Sequence, residues 1–144
     1  MQAEVHSDSQ AVAHAAAEFI AAEARRCIAE RGRFNLAVSG GDTPRVMLRA
    51  LANLAVPWDR VHVFQVDERV APLGDPARNL THLHECLLAH VPLRPGQIHA
   101  MPVEWTDLDA AARSYAAVLC TLAGTPPLLD LPPGVELLSP DDLD

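Results

Sequence analysis

The stretch from Asn35 to Pro44 limits what this chain can fold into more than any other. An apolar run of strand type, Leu36-Ala37-Val38, meets Ser39, two glycines and then a helix start at Asp42-Thr43-Pro44. Glycines let the backbone turn tightly and come close to a ligand. Thr43 is a good N-cap, and Pro44 fits the first helical turn, where its missing N–H costs nothing. The segment therefore predicts strand, loop and helix, with free amides and the positive end of a helix dipole at the turn. That arrangement suits an anionic group such as a phosphate. A βα turn needing glycines only for tightness has the same sequence, so context has to decide.

Around this unit, periodicity alternates between helix and strand. Ser7 or Ser9 caps a first helix running to about Arg31, with Val12, Ala16, Phe19, Ile20, Ala24, Cys27 and Ile28 as its apolar stripe. Glu18 and Arg25 point away from that stripe, and Gly32 ends the helix. The helix from Pro44 runs to about Ala52. Val61-His62-Val63-Phe64-Gln65-Val66 is rich in β-branched and aromatic residues and predicts a strand. It ends at Asp67-Glu68-Arg69, a charged cluster at the carboxyl end of a buried strand. Ligands bind at that edge in open parallel sheets, although a solvated loop with a local salt bridge has the same appearance. Pro72 to Arg78 is a loop. A helix with Leu80, Leu83, Leu87 and Leu88 on one face follows, and Ile98 to Met101 predicts a short strand. Thr106 and Asp109, at capping-box spacing, open a last helix whose stripe is Leu108, Ala112, Tyr115, Leu119 and Leu122. The order α, β, α, β, α, β, α indicates a layered α/β fold with a mostly parallel sheet and helices on both faces.

The totals narrow the function. At 144 residues the chain is long enough for one domain with a real core, and 49% hydrophobic with 21% charged residues is ordinary for a soluble globular protein. A net charge of -8 argues against nucleic acid or an anionic membrane as partner, so an anionic small substrate needs a local positive site. No apolar run reaches the length of a membrane span, and the start Met1-Gln2-Ala3-Glu4 lacks the features of a signal peptide. The three cysteines, Cys27, Cys86 and Cys120, are far apart and form no CxxC. They read as reduced thiols packed in a cytoplasmic protein, and no metal ligand set is apparent. There is no GxGxxG after the first strand and no GK[ST] after the glycines, which weighs against a nucleotide site.

Ser39-Gly40-Gly41-Asp42-Thr43-Pro44 and Pro57-Trp58 through Asp67-Glu68-Arg69-Val70-Ala71-Pro72, followed by Asp75 and Asn79, closely resemble the 6-phosphogluconolactonases. That family also contains the glucosamine-6-phosphate isomerases (deaminases). The resemblance covers roughly residues 9 to 131. Arg69 and the Pro-Trp pair favour the lactonase branch, since deaminases usually carry Tyr in place of this Arg. Gln65 departs from the aromatic residue often found before Asp-Glu-Arg. The resemblance implies a hydrolase of the pentose phosphate pathway, without metal or cofactor, that opens 6-phospho-D-glucono-1,5-lactone to 6-phosphogluconate. Its sugar phosphate would meet the amides of Gly40 and Gly41, the Thr43 hydroxyl, Asp67 and the positive charge of Arg69. Asn79 is either a loop contact or a helix cap, and the sequence leaves both open.

The family's second half normally holds a strand followed by Gly-x-Gly-x-Asp-Gly-His-Thr-Ala-Ser, whose His is proposed as general base. Here the match stops at Leu128-Leu129-Asp130-Leu131 and no such motif follows, so no catalytic residue is retained. The seven histidines stand outside any motif, and solvated or capping roles are their default. The expectation is a partial Rossmann-like α/β sheet, truncated at the C-terminal side. Residues 1–131 form the N-terminal portion of the domain, and residues 132–144 an irregular, disordered tail. An open apolar sheet edge would then invite self-association and marginal stability. A glucosamine-6-phosphate deaminase relative and a non-catalytic sugar-phosphate-binding fragment are the competing readings.

Overall fold

The structure, a computed structural model, describes residues 5–124. The strand expected from Leu128 and the acidic tail to Asp144 lie outside the described residues. Helix α1 (Ser9–Arg31) is followed by β1 (Phe34–Val38), α2 (Asp42–Ala52), β2 (Val61–Gln65), α3 (Asn79–Leu83), β3 (Ile98–His99) and α4 (Leu108–Ala123). The three strands form one parallel sheet in the order β1-β2-β3, with Phe34 opposite Val61 and Val38 opposite Gln65. Parallel pairing brings all strand tips to one edge of the sheet. It also leaves β1 outermost among the described residues.

Side chains alternate across the sheet, and the two faces differ. Phe34, Leu36, Val38, Val61 and Val63 pack into the main core with Ala17 and Ala21 of α1, Leu48 and Leu51 of α2, and Leu83, Cys86 and Leu87. On the opposite face α4 covers the sheet: the Asn35 amide donates to the Leu122 carbonyl (3.1 Å), and Tyr115 meets Phe64 edge-on. Helices on both faces are thus present, three on one side and one on the other.

Several local expectations shift. The cap of α1 is Asp8, which accepts from Ala11 N–H at 2.8 Å, rather than Ser7 or Ser9. The buried stripe of α1 is Ala13, Ala17, Ala21, Ala24 and Cys27, while Val12 and Phe19 are 44% and 55% exposed. Small residues let α1 lie close against its neighbours, so shape rather than hydrophobicity selects the inward face. Arg25 is not merely solvated, since its guanidinium donates to the Ala55 carbonyl (2.7 Å). Strand β2 ends at Gln65, and Val66 is exposed although its N–H still bonds Val38 O. The strand predicted over 98–101 is only Ile98–His99, because Met101 N–H is taken by the Gln65 side chain (2.8 Å). α3 continues as a π-helical turn over His84–Leu88. α4 is capped by Asp107, not Thr106, and buries Ala111 while Leu108 stays exposed.

Candidate functional site

The Ser39–Thr43 turn leaves β1 beside the tip of β2. Gly41, not Thr43, is the N-cap of α2, and no side chain caps that helix. Gly41 sits at φ 108° and ψ 169°, a region that side chains on Cβ strongly disfavour. Thr43 is drawn instead into the first turn, with its side chain exposed. Helix geometry leaves the amides of Asp42 and Thr43 without intrahelical acceptors, and Pro44 has none to offer. Gly40 is required for a different reason. A Cβ built there would collide with the Asn79 side-chain amide, 2.6 Å from its Cγ.

That contact joins the two halves of the site. The Asn79 amide nitrogen donates to the Asp67 backbone carbonyl (3.0 Å) and to Asp67 Oδ2 (3.1 Å). Asp67 Oδ2 in turn pairs with Arg69 Nη1 at 2.7 Å, with side chains 45% and 63% exposed. Gly40, Asn79, Asp67 and Arg69 are therefore one chain of contacts along the carboxyl edge of the sheet. Asn79 does not cap α3, whose N-cap position is held by Arg78 without a side-chain bond.

Glu68 supplies the missing cap. Its Oε1 accepts from Asn79 N–H (2.7 Å) and Arg69 N–H (2.8 Å). Its Oε2 accepts from Leu80 N–H (2.9 Å) and the Gln65 side-chain amide (2.8 Å). Its side chain is 0% exposed, and Arg78, 1% exposed, lies 3.1 Å away through Nε. That N–H does not point at the carboxylate, so the contact is an ion pair rather than an aligned hydrogen bond. Arg78 Nη1 also donates to Glu104 (2.6 Å) and to the Ala71 carbonyl (2.9 Å). Burial opposes ionisation of Glu68, but the Gln65 amide and the backbone amides of Arg69, Leu80 and Asn79 outweigh it and hold the carboxyl at about 2. Burial likewise works against the charge on Arg78, and the Glu104 and Glu68 carboxylates overcome it, leaving its pKa above the ordinary value. Sequence reasoning located the Asp-Glu-Arg triplet but not this division of labour. The available signal was an arginine, a poor N-cap, standing where α3 begins.

Between the turn and α3 lies a cleft lined by Val38, Gly40, Gly41, Arg45, Gln65 and Asn79, among others, with room for about one water (≈ 10 Å³). A group much larger than one water does not fit inside it. Arg45, on the first turn of α2, was not singled out from the sequence. Its Nε is buried without a hydrogen-bond partner, and Nη1 lies 3.3 Å from Asp42. His82 borders the same cleft, but its Nε2 is 2.7 Å from the Pro76 carbonyl, to which it donates.

Two histidines depart from the solvated default. His62 Nδ1 and His99 Nε2 are 2.9 Å apart on the α4 face, His62 near the start of β2 and His99 at the end of β3. Burial lowers both pKa values, helped by Arg33 for His62 and by His62 for His99. Cys27 and Cys86 are buried free thiols and Cys120 is a partly buried one. No group of metal-ligating side chains occurs among the described residues, and no helix among them is long and apolar enough to cross a membrane.

A family model described as glucosamine-6-phosphate isomerases/6-phosphogluconolactonase matches residues 7–132. The chain belongs to this family. It is 37% identical over 125 residues to the 6-phosphogluconolactonase of Streptomyces coelicolor, covering 81% of this chain and 48% of that relative. It is 37% identical over 110 residues to the 6-phosphogluconolactonase of Synechocystis sp., covering 74% of this chain and 46% of the relative. The chain thus spans about half the length of the curated relatives it matches. Among solved structures, the 6-phosphogluconolactonase from Thermotoga maritima is similar with a TM-score of 0.75 at 23% identity, covering 83% of this chain and 53% of that one. A monomeric glucosamine-6-phosphate deaminase is similar with a TM-score of 0.74 at 20% identity, covering 85% and 51%. At these identities the two structures establish the shared α/β fold.

Proposed function

We propose that this chain carries the sugar-phosphate-binding side of a 6-phosphogluconolactonase. The reaction is hydrolysis of 6-phospho-D-glucono-1,5-lactone to 6-phosphogluconate, in the cytoplasmic pentose phosphate pathway. The observation that carries this reading is the union of Gly40, Asn79, Asp67 and Arg69 at one sheet edge. In that role the Gly40 and Gly41 amides and the Thr43 hydroxyl meet the ligand's oxygens. Asp67 and Asn79 contact sugar hydroxyls, and Arg69 supplies the positive charge a phosphate needs on an acidic protein. Arg45 is a second cation for the same anion. Its buried Nε is a donor in search of an acceptor.

Lactone opening gains from a base that deprotonates water and from donors to the developing oxyanion. Losing the base typically costs about 10²–10⁴-fold. Binding is therefore the sharper test. Titration of the full chain with 6-phosphogluconate is expected to show saturable binding, with gluconate binding at least about 10-fold more weakly; equal affinities would sink the reading. Lactone turnover and ammonia release from glucosamine 6-phosphate, measured on the same preparation, separate the lactonase from the deaminase branch. Arg69 supports the lactonase.

A further inference from the structure

We infer that Glu68 and Arg78 are positioning residues for this site, acting on ligand through Asn79. The side chain of the triplet's middle residue, Glu68, is withdrawn from water, whereas those of Asp67 and Arg69 on either side of it are open to solvent. Glu68 spends its carboxylate on four donors, two of them the backbone amides of Asn79 and Leu80 that start α3. This fixes where α3 begins, and thereby where the Asn79 side chain projects. Fixed there, the amide lies against Gly40 and reaches Asp67.

Arg78 anchors the same point from the other side. It reaches the Ala71 carbonyl at the start of the loop and Glu104 on the far segment. Gln65 reinforces the clamp: its amide nitrogen donates to Glu68 and its oxygen accepts from Met101 N–H. Gln65 is thus a polar side chain with both ends engaged. A buried carboxylate with so many donors is a poor proton carrier and a good strut. Of the residues in this clamp, Gln65 and Asn79 border the cleft.

The choice of ligand rests on the sugar-phosphate reading, so the experiment has two arms. In the first, the Asn79 side-chain NH₂ resonances are followed in an amide correlation spectrum of the full chain. Glu68→Gln is expected to move them toward the values of a free amide at a temperature where circular dichroism remains native. In the second, 6-phosphogluconate is titrated. Glu68→Gln is expected to weaken binding about 10-fold, with no further loss when Asn79→Ala is added. Should Glu68→Gln fail to fold, Arg78→Lys serves instead, keeping the charge but losing the planar fork, with a smaller change of the same sign in both arms. Unmoved Asn79 resonances with wild-type affinity in a folded variant would overturn the inference. Failure of the wild-type chain to bind 6-phosphogluconate sinks the functional reading alone. The resonance arm then still decides whether Glu68 and Arg78 hold Asn79.

Discussion

The Ser39–Thr43 turn keeps its shape with backbone alone, whereas the Asp67–Asn79 side is held by side chains taken out of water. On the first side, Gly41 provides a conformation and Gly40 provides room, and no side chain caps α2. On the second, a carboxylate and a guanidinium with side-chain exposures of 0% and 1% stand in for the cap that the local sequence lacks. The two sides meet at a single amide, Asn79. The contrast teaches that one edge of a candidate site can be rigid because nothing else fits, and the other because charges have been committed to it.

The largest effect expected is at the buried pair. Glu68→Ala leaves Arg78 without one of its two carboxylates and should cost about 3–5 kcal/mol in urea denaturation. Asp67→Ala, which breaks the exposed pair with Arg69, should cost less than about 1 kcal/mol. Equal losses would erase the distinction between the two sides. Acid offers a second way to press on it. The Glu68 carboxyl titrates at about 2 in the folded chain against an ordinary 4.5, so the native state binds fewer protons than the unfolded one. Its contribution is complete above about pH 4.5 and drains away as pH falls toward about 2. The melting temperature of Glu68→Gln should therefore respond less to acid in this window than that of the parent. The turn divides between an intermediate effect and the smallest one. Gly41→Ala, at its positive φ, should cost about 1–3 kcal/mol, and Thr43→Ala no more than about 0.5 kcal/mol, because the hydroxyl caps nothing. A large Thr43 penalty would restore it as the cap.

What the residues disclosed in advance follows the same division. The glycine turn and the alternation of elements are local signals, and both were legible. Thr43 was mistaken for the cap because a threonine before a proline fits that role on propensity alone, while the φ of Gly41 moved the helix start forward. The Glu68–Arg78 pair was not legible because it joins residues ten apart across a loop, and its other partners, Gln65 and Glu104, lie on separate elements. On α1, hydrophobicity pointed to Phe19, while the close approach of α2 selected the alanines. Pattern reading ranks side chains by their dislike of water, and packing ranked these by size.

One consequence lies in the placement of β1. Among the described residues its pairing is with β2 alone, and no described strand lies along its other flank. A further rung laid against that flank in the same direction would finish beside Gly40. Whatever chemistry such a rung bore at its last residues would stand over the glycine pair, turning a one-sided shelf into a socket.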